Sequence, residues 1–282
     1  MNIKKPVIAQ IASHTWCINE YGMDTMFLLE GDEKALLIDT GTGTFDIRQL
    51  TSLLTNKPMM VVLTHGHVDH AGGMDQFDEV YLHPDDMEMA RDISLQDKKD
   101  YTRIIREVTQ GLYEVDESHV REESHLTNMR PLYGGTVIQL GNRTVEVYET
   151  PGHTPGGLSF LDIKERIFFT GDACNSNTLM SYGSFCGTDD RPKSGISDLQ
   201  KTAELIQSLH DQYDRNYNGH IGYGSTPDML PLPEGLVEDC IDLCKDILSG
   251  KVVGEPVKNW CGENLLARTE MMQIQYIAEQ VR

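Results

Sequence analysis

Met59-Met60-Val61-Val62-Leu63-Thr64-His65-Gly66-His67-Val68-Asp69-His70-Ala71-Gly72-Gly73 begins as an apolar run and ends in a loop crowded with ligand-type side chains. Five consecutive apolar residues, two of them β-branched, read as a strand buried on both faces. At its C-terminal end, three imidazoles and one carboxylate fall within six residues, His65 to His70. A bare His-x-His is more often a solvated loop or a satisfied core histidine. With Asp69 and His70 added, the set suits a borderline divalent ion such as zinc. Alternate positions after a strand can aim His65 and His67 at one ion while the next pair turns toward another.

Moving outward, the same arrangement of strand, turn and polar side chain recurs. Thr150-Pro151-Gly152-His153 sets a histidine in a rigid turn after a predicted strand at 144–149, and Phe168-Phe169-Thr170-Gly171-Asp172 ends a strand on an aspartate. A strand at 215–218 runs into Gly219-His220, and Leu37-Ile38-Asp39 closes an earlier one. Upstream, runs at 7–11, 15–18, 25–30 and 35–38 read as an antiparallel meander. A helix is predicted over 45–54 with Thr44 as its cap. Further strands are expected at 136–140, 158–162 and 167–170, and helices at 197–210 and 233–248. Residues 265–277 alternate like an edge strand but have helical composition, and both readings stay open.

Between the two strand-rich halves, residues 84–131 are charged, contain methionine, and carry no strand signal. Helices are predicted near 85–93 and 98–107. This block reads as a helical insertion within a single domain spanning 1–282, acting as a cap over the histidine-rich cleft or as a dimer surface. Met87, Met89, Tyr101 and Tyr113 within it are expected in its core, and His119 and His125 in solvent.

The order His-x-His-x-Asp-His, then an isolated histidine, then Gly-Asp, then a last histidine resembles the metallo-β-lactamase superfamily, specifically its glyoxalase II-like hydrolases. The resemblance covers roughly residues 15–225. It implies an α/β fold of αββα type, two sheets face to face with helices outside. It also implies that His65, His67 and His153 hold one divalent ion, that Asp69, His70 and His220 hold a second, and that Asp172 bridges them. Zinc is the first expectation, with iron or manganese as alternatives. Asp39 would orient ligands by hydrogen bonds without binding directly.

The implied chemistry is hydrolysis of a small ester, thioester or lactone. Two ions roughly 3.5–4 Å apart share a water and lower its pKa from about 16 toward 7. Asp172 and Asp69 are the catalytic carboxylates, and Asp69 can also shuttle the proton to the leaving group. Tyr182, Phe185 and Tyr223 follow Asp172 and His220 and are candidate pocket walls. True glyoxalase II departs from this chain in its basic C-terminal region, for which Lys251 and Lys258 are a thin set. Two alternatives share the scaffold: an iron-dependent persulfide dioxygenase and a small-molecule phosphodiesterase. A non-catalytic sensor is expected to have lost ligands, and none is missing here.

Composition narrows the partners. With 24 basic against 44 acidic residues, the net charge is −20. Such a surface repels nucleic-acid phosphates and anionic membranes, leaving a small-molecule substrate and an open question of homodimerisation. Six cysteines lack a C-x-x-C pair, so free buried thiols are expected. The N-terminal apolar run is interrupted at Gln10 and fails as a signal peptide. No stretch approaches the roughly 20 apolar residues of a membrane span. A cytoplasmic location is therefore expected.

Overall fold

The computed structural model describes residues 3–121, 127–176, 178–181, 194–225, 227–259 and 262–281. The first sheet has seven strands in chain order: β1 (Val7–Ala12), β2 (Thr15–Glu20), β3 (Asp24–Glu30), β4 (Ala35–Ile38), β5 (Met59–Val62), β6 (Glu79–Leu82) and β7 (Asn128–Pro131). Strands β1 to β4 form the expected antiparallel meander, and β4 to β7 continue in parallel. The second sheet runs β13 (Arg215–Asn218), β11 (Ile167–Gly171), β10 (Leu158–Asp162), β9 (Thr144–Glu149), β8 (Val137–Gln139).

Period-two alternation explains the layering. From β3, Phe27 and Leu29 point inward and join Val62, Val147, Phe160, Phe169 and Tyr217 in a core between the sheets. Met26 and Leu28 point the other way, onto Ile47 and Ala71 of α1 (Ile47–Leu54) and α2 (Val68–Ala71). On β11, Phe168 faces outward into a third cluster, with Leu199 and Ile206 of α5 (Ile196–Ser208) and Cys240 and Cys244 of α6 (Leu236–Leu248). Helix, sheet, sheet and helix follow in order, the αββα sandwich that the resemblance implies.

Two local expectations are corrected, and one left open is settled. Asp46, and not Thr44, caps α1, accepting from the Gln49 amide at 2.7 Å; Thr44 donates its hydroxyl to buried Glu20 instead. The block 84–131 contains α3 (Met87–Arg91) and α4 (Leu95–Val108), yet it ends in β7, a strand of the first sheet. The C-terminal segment is extended. Strands β14 (Glu255–Asn259), β15 (Gly262–Arg268) and β16 (Gln273–Tyr276) join β12 (Thr178–Ser181) in a four-stranded sheet against α6. Among the described residues, no helix is long and apolar enough to cross a membrane.

Candidate metal centre

Seven ligand-type side chains converge from four loops at one edge of the sandwich. His65 and His67 follow β5, and Asp69 and His70 lie on the single turn of α2. His153 follows β9, Asp172 directly follows β11, and His220 lies two residues past β13. All are buried except His67, which is half-buried. Parallel pairing of β11 with β13 brings the last two together, with Gly171 opposite Asn218. Gly219 is indispensable there, because a Cβ would stand 2.4 Å from the His70 ring and 2.8 Å from Asp172 Oδ1.

Outer hydrogen bonds fix which nitrogen each ring offers. His153 Nδ1 donates to the Met180 carbonyl at 2.6 Å, and His220 Nδ1 to the Met23 carbonyl at 2.6 Å. His70 Nδ1 donates to Asp39 Oδ2 at 2.9 Å. The Thr64 hydroxyl also donates to Asp39 Oδ2, at 2.8 Å, and so accepts from His65 Nδ1 at 3.0 Å. Asp39 thus orients two of the rings, and its left-handed backbone, φ 63°, is one that aspartate tolerates. Each of these four rings therefore turns its Nε2 toward the cluster.

Those nitrogens meet only carboxylate oxygens or other ring nitrogens. His65 Nε2 and His153 Nε2 stand 3.1 and 2.9 Å from the same atom, His67 Nδ1. Ligands about 2.0–2.1 Å from a tetrahedral ion lie roughly 3.3 Å apart, so this spacing suits an ion at the centre of the three. His220 Nε2 faces Asp172 Oδ2 at 2.8 Å, while His70 Nε2 faces Asp172 Oδ1 at 3.6 Å and Asp69 Oδ2 at 3.7 Å. His70 Nε2 and Asp172 Oδ1 are buried without a hydrogen-bond partner among the described residues. Buried groups of this kind aimed at one another call for a shared positive charge, a proton or a metal ion. Three groups can hold one: His65, His67 and His153; Asp69, His70 and His220; and His65, His70 and Asp172. Within each group the ligand atoms lie within 4.8 Å of one another.

Electrostatics divide the cluster. Burial, reinforced by the neighbouring histidines, pushes His65 well below the usual imidazole range and His67 down to about 3. Burial also opposes a charge on His70, but Asp69, Asp39 and Asp172 outweigh it and raise that ring to about 10. His220 is raised against burial by Asp172 and Asp69. Burial works against the charge on Asp172, yet His220 and His70 hold its carboxyl well below the usual carboxylate range.

Of the expected pocket residues, Tyr223 lies beside the cluster, its ring 5.8 Å from that of His220 and perpendicular to it. Tyr182 and Phe185 fall outside the described residues, as does His125; His119 is exposed as expected. Sequence reasoning missed three contributors. Asp86 is fully buried and accepts from Gly66 N, Thr154 Oγ1 and Gly156 N. Tyr101, expected in a helical core, donates to Asp69 Oδ2 at 2.7 Å, with Asp24 Oδ1 at 3.3 Å. Asp24 is itself buried, and burial, then Asp69 and Glu20, push its carboxyl well above the usual carboxylate range. One signal was available for Asp86: it follows strand β6 across His83-Pro84, the same strand-end placement that marks the ligands.

An edge-of-sandwich cluster of this donor set, on this fold, defines a metal-dependent hydrolase. The chain belongs to the metallo-beta-lactamase superfamily, whose sequence signature matches residues 22–211. It is similar to the acyl-coenzyme A thioesterase MBLAC2 of Homo sapiens, 28% identical over 205 residues, covering 66% of this chain and 68% of that protein. It is also similar to the probable metallo-hydrolase YqgX of Bacillus subtilis (strain 168), 26% identical over 191 residues, 66% of this chain and 76% of the other. Among solved structures, a metallo-beta-lactamase from Pontibacter korlensis shares the fold, with a TM-score of 0.56 at 18% identity, over 86% of this chain and all of that one.

Proposed function

We propose that this chain hydrolyses a small ester, thioester or lactone at a centre of two divalent ions, zinc first among them. In this reading His65, His67 and His153 hold one ion, Asp69, His70 and His220 the other, and Asp172 touches both. The carrying observation is the position of Asp172. One of its oxygens faces His220 at 2.8 Å and His153 at 3.6 Å, and the other faces His70 at 3.6 Å. A carboxylate so placed spans both halves.

When bound, such ions polarise the substrate carbonyl and supply a water acidic enough to attack near neutral pH. The protein's own residues prepare for that step. Asp39 and the Met180 and Met23 carbonyls lock the rings, so no reorganisation is needed as charge develops. Asp69 is held below the usual carboxylate range by His70 and His220, against the pull of burial. It is therefore ionised and suited to accept a proton from the attacking water and return it to the leaving oxygen or sulfur. His220 and Tyr223 also line a cleft with Asn218, Asp228, Leu230 and Leu232, a path for substrate to the cluster.

The thioesterase named among the relatives supports a thioester, and the αββα scaffold with a full donor set supports hydrolysis in general. The test is elemental analysis of zinc-supplemented protein, together with turnover on a panel of esters, thioesters, lactones and phosphodiesters. Two equivalents of metal and carbonyl-substrate turnover are expected. A ceiling of one equivalent, or turnover confined to phosphodiesters, defeats the reading.

A further inference from the structure

We propose that residues 84–101 help to build the metal centre, Asp86 setting the three-histidine half and Tyr101 setting the Asp69 half. The inference rests on the two-ion reading above and gives the segment a different role from a cap or dimer surface. Two independent contacts carry it.

Asp86 sits just beyond β6, with both carboxylate oxygens occupied. Oδ2 accepts from Gly66 N at 3.0 Å and Thr154 Oγ1 at 2.7 Å, and Oδ1 accepts from Gly156 N at 2.8 Å. Gly66 lies between His65 and His67, and Thr154 follows His153. One buried carboxylate therefore fastens together the two loops whose three imidazoles face one another. The approach is close by construction, since a Cβ at Gly156 would meet the Asp86 carboxylate at 2.7 Å. All three partners are donors, so a carboxylate matches them and an amide does not: the NH2 of Asn would be turned toward an N–H or O–H.

Tyr101 reaches the other half from α4. Its hydroxyl donates to Asp69 Oδ2 at 2.7 Å, fixing the rotation of a side chain that projects from the single-turn helix α2. Helix α4 is fastened in turn, because Lys98 pairs with Asp75 at 2.5 Å, on the single 3-10 turn Met74–Gln76 that follows α2. Partners that hydrogen-bond a ligating group, or hold the loop that carries it, tune metal affinity by roughly tenfold to a hundredfold. The two contacts act on different ligand groups, so their loss should be felt by different ions.

The experiment compares Tyr101→Phe, Asp86→Asn and Thr154→Val with the parent chain. Zinc affinity of each equivalent is measured by chelator competition, and thermal unfolding monitors the fold. Tyr101→Phe should weaken one equivalent by about tenfold to a hundredfold and leave the other unchanged. Asp86→Asn, and more mildly Thr154→Val, should weaken the opposite equivalent. Should Asp86→Asn not fold, Thr154→Val, which removes one donor from the same clamp, decides for that half. Folded Tyr101→Phe and Thr154→Val variants with parental affinity for both ions overturn the inference, as does weakening of the same equivalent, or of both together. A parent that never takes two ions defeats the two-ion reading and this inference with it. A two-ion parent with unaltered variants defeats this inference alone.

Discussion

The two halves of the cluster are built from similar side chains and stand in opposite electrical states. His65 and His67 share their half with His153 and are kept neutral, His67 down to about 3, because burial and like neighbours both oppose a charge. His70 lies within 4 Å of three carboxylates, Asp39, Asp69 and Asp172, and is raised to about 10. Their surroundings favour a proton on His70 and oppose one on His65 and His67. Surroundings, and not residue type, decide what an incoming ion must displace.

The largest test of this contrast removes the group that joins the halves. Asp172→Ala should lower kcat by at least about a hundredfold, comparable to losing one strong electrostatic stabiliser. His119→Ala, altering an exposed ring, should leave kcat close to parental. Equal losses in the two variants, both folded, would show that the cluster is not the site.

The next effect concerns protons. At pH 7, filling the Asp69–His70–His220 half should release about one proton from His70, whereas His65 and His67 should release almost none. Calorimetry in buffers of different ionisation enthalpy separates the two equivalents. In the chelated chain, His67 gains its proton only on unfolding between about 6.5 and 3, so stability falls as pH drops through that window. His70 keeps its proton when the unfolded chain has lost it, so stability also falls as pH rises from about 6.5 toward 10. Thermal midpoints of the chelated chain should therefore peak near pH 6.5, and added zinc should shift the maximum upward. An unchanged maximum argues against displacement of the His70 proton.

The smallest effect is at the rim. Tyr223 is 40% exposed beside His220, so Tyr223→Ala should raise KM several-fold, as the loss of one pocket wall does, and keep both ions. Loss of metal in that variant would move Tyr223 from the wall to the ligand framework.

What the sequence made legible was the part governed by local rules. Strands β4, β9, β10 and β13 have the boundaries that alternation and turns predict, and each ligand loop begins just past the end of a strand. Strand β7 was hidden because its four residues include a proline and are mostly exposed; only its pairing to β6 makes it a strand. Residues 265–277 became two antiparallel strands because α6 offers an apolar face to Ala267, Met272, Ile274 and Tyr276, a tertiary preference absent from their composition. Tyr101 was invisible for a related reason. Helical periodicity says which face of α4 is apolar, but not that a hydroxyl on it will end beside Asp69.

The hydrogen-bonded ladder between β11 and β13 has a consequence for how the protein fails. Asp172 and His220 extend from neighbouring strands, β11 and the edge strand β13 beside it, whose inner residues Phe169 and Tyr217 are packed between the two sheets, and Gly219 N bonds Gly171 O at 3.1 Å close by. Fraying of a terminus or opening of a surface loop does not separate that pair. Inactivation on heating should then track loss of this strand pair, with activity falling in step with exchange of the backbone amides that bond β13 to β11.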